Sequence, residues 1–282
     1  MLAWFLITCL SVGHLWPSLG WSAQTSNSGA ASERRLFSVR SHQAWEVVRK
    51  RLNELGLSPD KTDGASQAVL TKWREVGAKG VEWLPAATLP EPYVAKRIRF
   101  LVFVSPFAEP ARVSIGSLIE ATDRSTSASR AVVYNGSDVN RTLMREIAKA
   151  LGEDGLPIPT DREERRKISL SVLKDAADDC LRRGAPPKGA KVTAPRKIPV
   201  SVFEVLYPAQ ALAASTEGTV RVEFVILEDG TVSDIRVLDR SLGRQLEASA
   251  IGAVSLLLYS PAKLNECAVP TIMTYSVHYR VH

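Results

Sequence analysis

Few side chains in this sequence are placed to do chemistry. The chain holds 4 His and 3 Cys among 282 residues. His42 stands close to Trp45 and reads as a surface or cap residue rather than a base. His278 and His282 fall in a strand pattern, and they read as strand-face residues rather than ligands. A structural zinc site needs four clustered Cys or His ligands, and the two Cys and three His that lie beyond residue 23 are too few for a credible one. No metal or other cofactor is implied. There is no Gly-x-Ser-x-Gly, no phosphate-binding Walker loop and no dinucleotide glycine pattern. These absences argue against an enzyme. Asp178 and Asp179 read as solvent-facing carboxylates on a helix.

The most ordered polar pattern lies at the end of the chain, in "TIMTYSVHYRVH". Met273, Tyr275, Val277, Tyr279 and Val281 face one way; Thr274, Ser276, His278 and Arg280 face the other. That is a strand with one apolar and one polar face. Upstream, "VRVEFVILEDGTVSDIRVLD" over 220–239 reads as a β-hairpin turning at Glu228-Asp229-Gly230.

The elements around these stretches fall into two groups. "YPAQALAA" predicts a short helix with Pro208 at its first position. "GRQLEASAIGAVSLLL" predicts a second helix, with Leu246, Ala250, Ala253, Val254 and Leu257 on one narrow stripe. With the hairpin and the last strand, residues 201–282 read as an α-β-β-α-β domain. Earlier, Trp45, Val48, Leu52 and Leu55 sit at helical spacing, with Ser41 as a candidate cap and Gly56 and Pro59 as stops. "SQAVLTKW" suggests a strand, and the Pro-rich "LPAATLPEPY" a loop or edge. In "AKRIRFLVFVSP" the residues Ile98, Phe100, Val102 and Val104 share one face. "ARVSIGSLIEAT" and "SRAVVYNG" are further strands, and "DVNRTLMREIAKALG" is an amphipathic helix capped by Asp138, with Leu143, Ile147 and Leu151 as its stripe. Residues 36–152 thus predict an antiparallel sheet with two helices on one face. The expected fold class is α+β, as two small domains.

Residues 153–200 are expected to join the two domains through a helix near 161–183 and then a Pro/Lys/Gly tether. Extended, residues 184–200 would reach roughly 55–60 Å. Residues 24–35 are Ser/Ala/Asn-rich and expected to be disordered.

Residues 1–23 lack Lys, Arg, Asp and Glu. They read as a cleaved signal peptide, with an uncleaved membrane anchor as the competing reading. Either places the rest outside the cytoplasm. There Cys180 and Cys267 could form a disulfide; the alternative is two separate thiols. Cys9 falls within the leader. A net charge of +6 is mildly basic and, without an aromatic-basic groove, points to no nucleic acid. Arg49-Lys50-Arg51 and Lys96-Arg97-Arg99 read as solvated faces, with anionic lipid as the other reading. Asn135 and Asn140 open two glycosylation-like triplets, motifs short enough to recur by chance. By sequence count residues 24–152 are net basic and residues 201–282 net acidic, so the two halves should meet different surfaces.

Several of these pieces resemble one family. Residues 207–281 resemble the C-terminal domain of TonB, the periplasmic energy transducer of Gram-negative envelopes. The carriers are the Tyr-Pro at 207–208, "GTVRVEFVILEDGTVSDIRVLDRS", "LEASAIGAV", "YSPA" and the closing strand. Two departures stand out. Leu257 replaces the family's usual aromatic, and "ECAV" stands where a Gly-x-Pro-Val approach is usual. The resemblance implies that residues 272–281 form a sheet edge that takes a partner peptide by strand addition. Thr274, Ser276, His278 and Arg280 would set specificity beside Tyr207 and Pro208. A covered edge or a homodimer is the competing reading.

The implied partners are an outer-membrane receptor or other envelope protein and an inner-membrane proton-channel complex, in energy-coupled transport. The alternative is an exported structural adaptor for envelope assembly with no energy transduction. The short tether, and Ser11 and His14 one residue too close for the family's anchor pattern, argue against a complete transducer. Residues 41–152 resemble, more weakly, the helix-and-sheet domains of BamC-type envelope lipoproteins, through "AWEVVRKRLNELGL", "AVLTKW" and a closing helix.

Overall fold

A computed structural model describes residues 32–77, 93–123, 130–134, 137–157, 192–200, 205, 207–208, 211, 214–264 and 267–281. The leader, the Pro-rich stretch at 84–92, the expected helix near 161–183 with Cys180, and His282 lie outside the described residues. The fold is mixed α+β, and all its strand pairs are antiparallel.

The larger sheet has eight strands. They are β1 (Glu33–Leu36), β2 (Pro59–Asp63), β3 (Ala68–Thr71), β4 (Arg74–Glu75), β5 (Tyr93–Val104), β6 (Arg112–Asp123), β7 (Arg130–Tyr134) and β8 (Leu156–Pro157). Their order is β2-β3-β5-β6-β1-β8, with β4 on β5 and β7 on β6. Two helices, α1 (Ser41–Glu54) and α2 (Ser137–Leu151), cover one face. The expected stripes explain this packing. Trp45, Val48 and Leu52 of α1 and Leu143 and Ile147 of α2 bury against Ile98, Phe100, Val102 and Val104 of β5. Arg51 of α1 pairs with Glu146 of α2 across the outside of that layer.

Three local expectations change. Asp138, expected to cap α2, is instead its second residue. Glu33–Arg35, expected to be disordered, belong to β1: Arg34 pairs with Ser114 and Arg35 with Val113 of β6. Ser41 does not cap α1 with its own side chain. It is the first helical residue, and the distant Glu109 carboxylate accepts from its backbone N–H at 3.1 Å and from its Oγ at 2.7 Å. A negative group at an N-terminus satisfies orphan N–H groups and suits the helix dipole.

The smaller sheet has the order β12-β11-β16, from β11 (Gly218–Ile226), β12 (Val232–Val237) and β16 (Thr271–Tyr279). Helix α3 (Arg244–Ser255) lies on it through Leu246, Ala250 and Val254, which meet Val220, Val222, Phe224, Ile226, Val277 and Tyr279. The small side chains along α3 permit a close approach to the sheet. Of the expected short helix at "YPAQALAA", Ala211 is helical and buried; most of the remainder lies outside the described residues.

The tether departs most from expectation. Residues 192–200 are built into the fold instead of spanning open space. Strand β9 (Val192–Thr193) pairs with β14 (Ala262–Leu264), which also holds β15 (Cys267–Val269). Strand β10 (Arg196–Lys197) pairs with β13 (Tyr259–Ser260). Ile198 donates its N–H to the Leu258 carbonyl at 2.8 Å. Ile198 and Val200 then bury in a third core with Leu256 and Leu258 from one side and Leu70, Leu101, Phe103 and Leu118 of the larger sheet from the other. A Pro/Lys-rich composition conceals two apolar anchors here, and burying them outweighs the freedom of the chain.

Candidate functional site

The site is built on β16. Its partner on one side is β11, in unbroken register from Gly218↔Tyr279 to Ile226↔Thr271. Among the described residues no strand pairs with its other side. In an antiparallel edge, alternate residues turn their N–H and C=O away from the sheet, free to accept another strand. Burial alternates along β16, with Val277 and Tyr279 inside and Thr274, Ser276 and His278 outside; Arg280, just beyond its end, is also exposed. Ile272, on the same outer face, is 63% exposed.

The outer face is partly tied down by its neighbours. His278 Nδ1 and Thr219 Oγ1 of β11 are hydrogen-bonded at 2.9 Å, with the tautomer deciding which one donates. Glu223 is bound by Arg236 of β12 at 2.8 Å. Just past the strand, the Val281 N–H donates to Glu217 at 2.7 Å.

Beside the C-terminal end of β16 lies an open groove of about 480 Å³, lined by Val205, Tyr207, His278, Tyr279 and Arg280. The Tyr207 ring meets Tyr279 edge-on, with centroids 5.6 Å apart. Its hydroxyl donates to the Thr216 carbonyl. Desolvation, then the nearby Glu217 charge, raises the Tyr207 pKa. Tyr279 donates its hydroxyl to the Leu246 carbonyl at 2.9 Å, and burial pushes its pKa up to about 12. Both phenols are therefore neutral ring surfaces at neutral pH, with hydroxyls already committed to backbone carbonyls. The groove offers aromatic walls and one cation, Arg280. Among the described residues it holds no paired acid and base.

Of the residues singled out by sequence, the groove brings together Tyr207, His278 and Arg280. Thr274 and Ser276 stand further along the strand, outside its lining, and half-buried Pro208 is also not part of it. Val205 and Tyr279 line the groove without having been anticipated. Tyr279 belongs to the apolar stripe of the strand and does face the core; only the rim of a nearly buried ring reaches the groove, which no periodicity reveals. Cys267 is disulfide-bonded, while Cys9 and Cys180 lie outside the described residues. No described helix is long and apolar enough to cross a membrane.

Residues 204–281 match the family model of the Gram-negative bacterial TonB protein C-terminal domain. The match covers the small sheet, α3 and the groove. No curated protein matches the chain.

Proposed function

Taking residues 204–281 as a TonB C-terminal domain, we propose that this chain is a non-catalytic protein of the Gram-negative envelope. It binds a partner peptide by strand addition along β16, in energy-coupled transport across the outer membrane. The observation that carries this reading is the position of β16 at the end of its sheet, with a polar outer face and an aromatic groove at one end. Backbone hydrogen bonds would supply affinity. The alternating outer residues Thr274, Ser276, His278 and Arg280 would supply selectivity, with Tyr207 and Pro208 flanking the end of the added strand. The natural partner is an outer-membrane receptor or another envelope protein, and energy would come from an inner-membrane proton-channel complex.

One observation favours a second reading, an exported adaptor without energy transduction. Residues 192–200 are folded into sheets and a buried core, so they cannot also serve as a long rod.

Photo-crosslinking from Thr274 and from Ser276, in cells, tests strand addition. The expected product joins this chain to an envelope protein through an extended segment. Crosslinks only to a second copy, or none, would reject receptor pairing. The intact mass of the native protein separates the two readings: loss of about the first two dozen residues would favour the adaptor.

A further inference from the structure

The tip of the β11–β12 hairpin is charged, and it is buried. Asp229 and Thr231 are each 3% exposed, although a hairpin turn ordinarily faces water. Buried polar groups persist where they are hydrogen-bonded, and Asp229, Thr231 and Val232 of this tip each have a partner. The Asp229 Oδ1 accepts from the Thr231 N–H at 3.0 Å and from its Oγ1 at 2.6 Å. The Asp229 carbonyl accepts from Ser105 Oγ at 2.8 Å, and Arg112 lies 3.6 Å from its carboxylate. The Val232 carbonyl accepts from Arg34 Nη2 at 2.6 Å, and Arg34 is itself oriented by a 3.0 Å bond from its Nε to Ser32 Oγ.

Those three partners, and Ser32 behind Arg34, lie in or directly beside strands β1, β5 and β6 of the larger sheet, on the face away from α1 and α2. Around them Phe103, Val113 and Ser114 close against the tip and leave no room for water. The third core, with Ile198 and Val200 wedged into it, continues the same contact. A hairpin that merely closed its own small sheet would need none of this.

We propose that Ser32, Arg34, Ser105 and Arg112 form a socket whose ligand is the chain's own hairpin tip. The two sheets then move as one rigid body, and the larger sheet acts as the mount that fixes the direction in which β16 presents its open side. A swivelling unit on a tether would present that side in every direction. The socket does not depend on what pairs with β16.

Hydrogen exchange on the full chain tests this. The informative amides are those of Leu227, Gly230, Thr231 and Tyr259, whose acceptors are the Thr231 carbonyl, the Leu227 carbonyl, Asp229 Oδ1 and the Gly230 carbonyl. In the native chain they should be protected to the same degree as β5 amides. The double variant R34A/R112A should speed their exchange at least ~10-fold while β5 keeps its protection. The single variant S105A should give a smaller rise in the same direction, and it serves if the double variant does not fold. Tip amides that exchange freely in the native chain, or protection unchanged by both variants, would overturn the proposal.

Discussion

Gly230 is the position at which one methyl group should matter most. Its φ is +85°, a region that costs an L-residue about 1–2 kcal/mol. A Cβ there would also collide with the Tyr259 carbonyl oxygen, which is backbone and cannot rotate away. To relieve the clash the turn must withdraw from β13. That breaks the 2.9 Å bond from the Tyr259 N–H to the Gly230 carbonyl, worth about 1 kcal/mol. It also lifts Asp229 from Ser105 and Arg112, and a buried polar group left unpaired costs about 1–3 kcal/mol more. Gly230→Ala should therefore destabilise the full chain by about 3–6 kcal/mol. Two other glycines separate the contributions. Gly152 has φ +75° and nothing near its missing Cβ, so Gly152→Ala should show the backbone cost alone, about 1–2 kcal/mol. Gly64 has ordinary dihedrals and open space, so Gly64→Ala should be neutral or slightly stabilising. Urea unfolding followed by tryptophan fluorescence measures all three. If Gly230→Ala costs no more than Gly152→Ala, the tip is not seated as described and the reasoning fails.

Three further outcomes follow from the geometry. Burial, reinforced by the Asp229 charge and opposed by Arg112, raises the Glu228 carboxyl above its usual range, so its ionised form is disfavoured in the fold. The associated stability is present below the ordinary Glu pKa and lost as pH rises through the raised one; Glu228→Gln should stabilise at pH 7 and flatten that slope in unfolding measured from pH 4 to 8. Tyr259 and Tyr279 are both pushed to about 12, so stability should fall between pH 10 and 12, and Tyr279→Phe should remove part of that fall while costing about 1 kcal/mol at pH 7 for the lost bond to Leu246. Asn140 is fully buried with neither amide atom bonded among the described residues, and Asn140→Leu should raise stability by about 1 kcal/mol in urea titration.

Periodic elements were the legible ones. The alternation of β16 and most of the narrow stripe of α3 follow directly from side-chain direction in strands and helices; Leu257, expected on that stripe, lies past the end of α3, and Ser249 is buried on it instead. The hairpin turn was readable for the same reason, through Gly230. Strand β1 was not, because "ERRL" carries no apolar alternation, and its value lies in where Arg34 reaches. The folded tether was hidden by its lysines and prolines, since Ile198 and Val200 are too few to form a pattern. Long-range matching, such as Arg34 with Val232 or Ser41 with Glu109, leaves no local trace at all. The residues of the groove divide in the same way: those on the polar face of β16 were legible, and Tyr279, which shows the groove only a rim, was not.

Strand β5 carries a consequence of its own. It is covered on both sides: Ile98, Phe100, Val102 and Val104 enter the core beneath the two helices, while Leu101 and Phe103 enter the one shared with Ile198, Val200 and Leu258. Odd and even positions of one short segment therefore answer to different neighbours. A truncation at Phe100 should be felt first by α1 and α2, and one at Phe103 by the seat of the hairpin. Parity from Ile98 to Val104 sorts damage to the helical layer from damage to the seam between the sheets.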